Sequence, residues 1–140
     1  MSYHTNIVNV MAIFGIGAYY DEDVTSIFLE KEVACVGWEE ENSPTLHRIM
    51  AHIKMGDIIY IKKYPPNEGL TIKAIGIVAD DKVTFIRDVG EACLKVKWIW
   101  KGNELLGNID DKYNVRQNTL YEEYNLTIQK KIVDLLTTSI

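Results

Sequence analysis

The sequence predicts an α+β fold, in which paired strands join a sheet or barrel and helices flank it. Three observations carry the prediction. Residues 54–78 read as a β-hairpin. Asp57 opens a run of β-branched and aromatic residues, Pro65-Pro66-Asn67-Glu68-Gly69 breaks it, and a second apolar run returns. Residues 93–101 alternate, with Leu94, Val96, Trp98 and Trp100 on one side and Lys95, Lys97 and Lys101 on the other, the pattern of a strand with one wet face. Two stretches carry apolar residues at helical spacing: Leu46, Ile49, Met50 and Ile53, and later Leu126, Ile128, Ile132, Val133, Leu135 and Leu136.

In chain order, residues 10–18 form a first strand, its Gly15 and Gly17 allowing a bend or the close approach of other backbone. Residues 27–38 read as one long strand or two shorter ones interrupted by Glu30-Lys31-Glu32, the surer half being 33–38. Ser43-Pro44 signals a helix start, through a side-chain cap and a proline in the first turn, and Gly56 is the stop. After the hairpin, Asp80-Asp81-Lys82 reads as a turn, 82–87 as a short strand and 102–112 as a polar loop. A helix over 125–137 closes the chain.

A length of 140 residues fits one domain spanning 1–140, with 103–140 as an extension ending in that helix. A hydrophobic content of 47% with 25% charged residues is ordinary for a globular protein, and no apolar run reaches the ~20 residues of a membrane span. Residues 1–5 lack the basic cluster of a signal peptide, so a cytoplasmic location and no membrane partner are expected. Cys35 and Cys93 lie in apolar runs and read as buried, reduced thiols. The net charge of −5 argues against coating duplex DNA by bulk electrostatics. The charge is uneven, however: residues 20–41 hold eight acids against Lys31, whereas residues 54–101 hold nine Lys and Arg against six acids.

No serine sits in an acyl-transfer setting, and His47 and His52, five apart, do not present two rings to one metal. Gly15-Ile16-Gly17 lacks the third glycine of a dinucleotide fingerprint. Neither cofactor nor metal is expected. Asp57, Asp80 and Lys82 loosely resemble the acid pair and lysine of the restriction-endonuclease fold, although that fold holds its second acid and lysine within a strand. The aromatic residues remain. Trp38 follows Gly37, Tyr60 and Tyr64 share parity on the Asp57 strand, and Trp98 lies on the apolar face of another. If those strands neighbour one another in a curled sheet, several rings converge on a cavity able to stack a base; otherwise they fill the core, Trp100 and Tyr60 first.

The order of elements, with a strand ending in Gly37-Trp38, a short helix, then IKMGDIIYIKKY, a turn and LTIKAIGIV, resembles the PUA-like superfamily and particularly its EVE and YTH-type branch, over roughly residues 7–100. The resemblance implies a small, strongly curved β-barrel flanked by helices. It implies a non-enzymatic module that reads a nucleotide or modified base in nucleic acid, of a kind found in prokaryotic restriction and antiphage systems. Carried over by residue, Gly37 and Trp38 would sit at the pocket, Trp98 would be a second wall, and Lys62, Lys63 and Tyr64 would contact phosphate or base edges. The acids at 21–23 and 39–41 depart from a phosphate-binding surface; they either bond base amino groups or face a protein. The alternatives are an interaction or regulatory subunit of a defence enzyme, docking through the C-terminal helix or forming a homodimer, and a metal-dependent nuclease using Asp57, Asp80 and Lys82.

Overall fold

A computed structural model describes residues 11–112 and 114–140. The expected start of the first strand at Val10 and residues 1–5, read as lacking a signal peptide, lie outside those residues. The fold is mixed α/β: a six-stranded, curled, half-barrel sheet with three helices. In chain order these are β1 (Ile13–Gly17), α1 (Thr25–Lys31), β2 (Val33–Val36), α2 (Pro44–His52), β3 (Ile58–Lys63), β4 (Leu70–Ile86), β5 (Gly90–Gly107), β6 (Leu120–Glu122) and α3 (Leu126–Thr138). The strand order is β2-β5-β4-β3-β1-β6. β1 and β3 run parallel, joined by the α1–β2–α2 crossover, and every other pair is antiparallel.

Both faces of the sheet are covered, which is why β3 reads as a continuous apolar run. Ile59 and Ile61 point into one core with Phe14, Ile16, Phe28 of α1 and Met50 of α2. Ile58 and Tyr60 point into the other, with Ile13, Ile72, Ile75, and Ile128, Ile132 and Leu136 of α3. The apolar side of α3 is therefore spent on its own sheet; Asn125 caps that helix, its side chain accepting from Ile128 N at 3.1 Å. No described helix is long and apolar enough to cross a membrane.

Five expectations are corrected. Residues 25–31 form a helix, because Ile27, Phe28 and Leu29 are consecutive apolar residues that seat Phe28 in the core, and Glu32 turns the chain in the left-handed region (φ 55°). Ser43 makes no side-chain cap, although Pro44 does open α2, which ends at His52, four residues before Gly56. Asp80-Asp81-Lys82 is no turn. It lies within β4, which continues to Ile86 past register shifts at Val78/Asp80 and Asp80/Thr84, bulges that let a strand bend and keep polar residues outward. β5 likewise extends through Gly107, where a loop was expected. Finally, Cys35 and Cys93 are directly opposite across β2 and β5, and the structure places them in a disulfide rather than as free thiols.

Candidate functional site

Three chain segments converge at one end of the curled sheet and bound an open cleft of about 710 Å³. They are the turn after β1 (Tyr19, Tyr20, Asp21), the exit from β2 (Gly37, Trp38) and the tip of the β4–β5 hairpin (residues 85–91). The first turn is tight, bridged between Tyr19 and Asp23, with Asp21 at its apex at φ 63°. The hairpin tip is a β-turn closed by Val89 N donating to Ile86 O at 3.0 Å, with Asp88 at φ 65°. Two aspartates thus hold left-handed backbone where the chain turns into the cleft, a conformation that Asp tolerates better than most residues.

The floor is fixed. The Tyr20 hydroxyl donates to Cys35 O at 3.0 Å, and its ring meets Phe28 edge-on with centroids 6.2 Å apart. Burial pushes the Tyr20 hydroxyl well above its ordinary pKa, so it remains a neutral donor at physiological pH. Gly37 makes this possible, since a Cβ there would lie 2.9 Å from Cε1 of Tyr20. The segment carrying Trp38 is tied to α2 by His47 Nε2, 2.5 Å from Trp38 O.

The walls are open. Tyr19, Trp38 and Phe85 line the cleft at 67%, 47% and 62% exposure. Their ring faces are spent on no core, in contrast to Tyr60, Tyr121 and Trp98. Asp21, Asp88 and Glu91 add three carboxylates and Arg87 one guanidinium; none of these four side chains makes a hydrogen bond or ion pair among the described residues. The cleft therefore offers flat apolar faces, several acceptors and one cationic fork to a ligand.

Of the residues singled out in the sequence, the structure brings Gly37 and Trp38 to this cleft. The other four lie elsewhere. Trp98 packs against the first core and its Nε1 donates to Phe28 O at 3.0 Å. Tyr64 flanks the second core and accepts from Asn114 Nδ2 at 2.8 Å, while Lys63 is exposed at the end of β3. Lys62 is buried, its Nζ donating to Arg116 O at 2.7 Å and lying 5.8 Å from the Tyr121 ring centroid. Of the proposed nuclease group, the Asp57 carboxylate accepts from Ala12 N at 3.1 Å and Lys54 N at 2.8 Å, bracing the entry to β3. Tyr19, Phe85, Arg87 and Asp88 were not anticipated; the Tyr19-Tyr20 pair and the turn-forming Arg87-Asp88-Val89-Gly90 were the available signals.

Beneath Lys62 lies a buried polar network. Glu123 accepts from Tyr60 Oη at 2.6 Å, from Arg116 Nε at 3.1 Å, from a second Arg116 nitrogen, and from Asn125 N at 3.0 Å. The single Tyr60 hydroxyl hydrogen is donated to the hydrogen bond with that carboxylate, so Tyr121 donates in the 2.8 Å contact between the two hydroxyls. Gly15 accommodates this arrangement, because a Cβ there would lie 2.4 Å from the Tyr121 ring.

Burial lowers the Lys62 pKa to about 8 from an ordinary 10.5. Between those values the unfolded chain binds the extra proton, so through this group stability rises with pH from about 8 toward 10.5, and its cost is full below pH 8. Lys62→Met is therefore expected to stabilise the protein at pH 7 by up to ~3 kcal/mol and to flatten the rise between pH 8 and 10. Urea titrations of both proteins across that range check it. The raised Tyr60 and Tyr121 hydroxyls act in the opposite sense only above their ordinary pKa near 10.

The family model for a domain of unknown function, DUF8426, matches residues 20–123, from Tyr20 of the cleft to Glu123 of the buried network. No curated protein matches the chain.

Proposed function

The chain belongs to the DUF8426 family, and we propose, from the geometry of its cleft, that it is a binding module that stacks a nucleotide or modified base of a nucleic acid at Trp38. The observation that supports this most is the unspent aromatic surface. Three exposed rings from three separate segments face one recess whose volume lies in the range of small-ligand sites. Isolated surface aromatics are common, but rings gathered on a concave surface with adjacent polar groups are the arrangement that grips a flat ligand.

The fold is compatible with this reading. A curled sheet flanked by helices is compatible with the small curved barrel that the resemblance to the PUA-like superfamily and its EVE and YTH-type branch implies. Lys95, Lys97 and Lys101 are exposed along β5 and supply cations for phosphate, whereas Lys73 is engaged 2.8 Å from Asp23. A role in restriction or antiphage defence is the biological setting this reading suggests.

Base stacking is worth ~1–3 kcal/mol per ring, so Trp38→Ala and Phe85→Ala should each weaken binding roughly ten- to a hundredfold while leaving the melting temperature nearly unchanged. Titration calorimetry with nucleotides and with single-stranded oligonucleotides bearing modified bases provides the assay, since it reads the wild-type and substituted proteins alike. A folded Trp38→Ala protein with undiminished affinity would remove the cleft from consideration.

A further inference from the structure

Building on the base-binding reading of this cleft, we propose that its preferred ligand is a nucleotide whose base carries a positive charge, an N-methylated cationic purine, with its phosphate directed to Arg87. The argument rests on charge and shape together. The exposed rings of Tyr19, Trp38 and Phe85 line the cleft, and the negative face of an aromatic ring attracts a cation stacked on it. Around those rings stand Asp21, Asp88 and Glu91 against Arg87 alone, two more negative than positive charges. A neutral base stacked there leaves that excess of negative charge unmatched, and an anionic ligand without a cationic centre is repelled. A quaternised base satisfies both the rings and the acids.

Arg87 accounts for the remainder of the ligand. Its guanidinium fork suits a phosphate, and no carboxylate of the protein occupies it among the described residues. A cationic base and an anionic phosphate on one molecule match three acids and one arginine on one wall. The volume of about 710 Å³ favours a nucleotide over a lone ammonium head, which leaves most of that space unfilled.

Titration calorimetry of the whole chain with isomeric ligands tests the idea. The 1-methyladenosine and N6-methyladenosine monophosphates differ only in where the methyl group sits, and at pH 6.5 only the first is cationic. The cationic isomer is expected to bind about tenfold more tightly, the scale of a partly desolvated cation–π contact. The same ordering should hold for 7-methylguanosine monophosphate over guanosine monophosphate. Asp88→Asn, at an exposed position, with Glu91→Gln, at a half-buried one, should draw the ratio between isomers toward one. Arg87→Met should weaken the monophosphates more than the corresponding nucleosides. Equal or reversed affinity of the isomers, with both still binding at Trp38, overturns the charge preference and leaves base binding standing. Tighter binding of a trimethyl-lysine peptide than of any nucleotide overturns the choice of ligand. Failure of every nucleotide, charged or neutral, overturns the base-binding reading itself.

Discussion

Replacing Arg116 with Met will lower the free energy of unfolding by ~3–5 kcal/mol, as measured by urea denaturation, because it strands Glu123 as an uncompensated charge in the interior. The Arg116 and Glu123 residues are each only 1% exposed. Desolvating a lone carboxylate is expensive, and here the remaining partners, the Tyr60 hydroxyl and the Asn125 amide, are neutral. The damage should spread beyond the pair. Arg116 also reaches Asp111 at 2.9 Å, its carbonyl holds Lys62, and Glu123 sits between β6 and the capping residue of α3. Loosening of the 108–119 segment and fraying of α3 should therefore accompany the loss, visible as faster amide exchange there. The pair removed together, Arg116→Met with Glu123→Leu, should regain a substantial part of the stability, since no buried charge is then left alone. A loss under ~1 kcal/mol in the single variant would mean that water reaches Glu123.

What was legible in the sequence was local. The β3–β4 hairpin is written in a broken apolar run, α2 in a proline start and a stripe at three and four, and α3 in its spacing behind Asn125. Two of the cleft residues were found because Gly37-Trp38 stands at a strand end. The rest depends on distant geometry that spacing cannot encode. Alternation put Trp98 and Trp100 on one side of β5, but register shifts along the β4–β5 pair send Trp98 to the first core and Trp100 to the second. Lys62 looked like a surface charge because it follows Ile61. A register shift between those two residues accompanies its inward turn, where its Nζ donates to Arg116 O. Phe85 and Arg87 reach the cleft only because β4 is bent by bulges and carries its tip back over β2. Arg116 lies in an irregular segment, where burial of an arginine leaves no periodic trace.

The disulfide was the least legible feature, because two cysteines separated by 58 residues have no pattern until β2 and β5 are paired. Its removal has the second large expected effect. Closing a loop of that length restricts the unfolded chain by ~4 kcal/mol in the chain-entropy account, so Cys35→Ala with Cys93→Ala should cost stability of that order and lower the melting temperature accordingly. Both residues are fully buried, so dithiothreitol should act on the native protein only as fast as β2 and β5 open, and rapidly once the chain is unfolded. A melting temperature indifferent both to reductant applied through an unfolding cycle and to the double substitution would show that the cross-link does not form in solution. The consequence reaches the cleft. The chain leaves β2 one residue after Cys35 into Gly37 and Trp38, and β5 follows the hairpin tip that bears Phe85 and Arg87, so the cross-link fixes one wall against the other. Without it the rings keep their identities but lose their spacing, and ligand affinity should fall even where the fold survives, since a stacked ligand must then order both walls on binding.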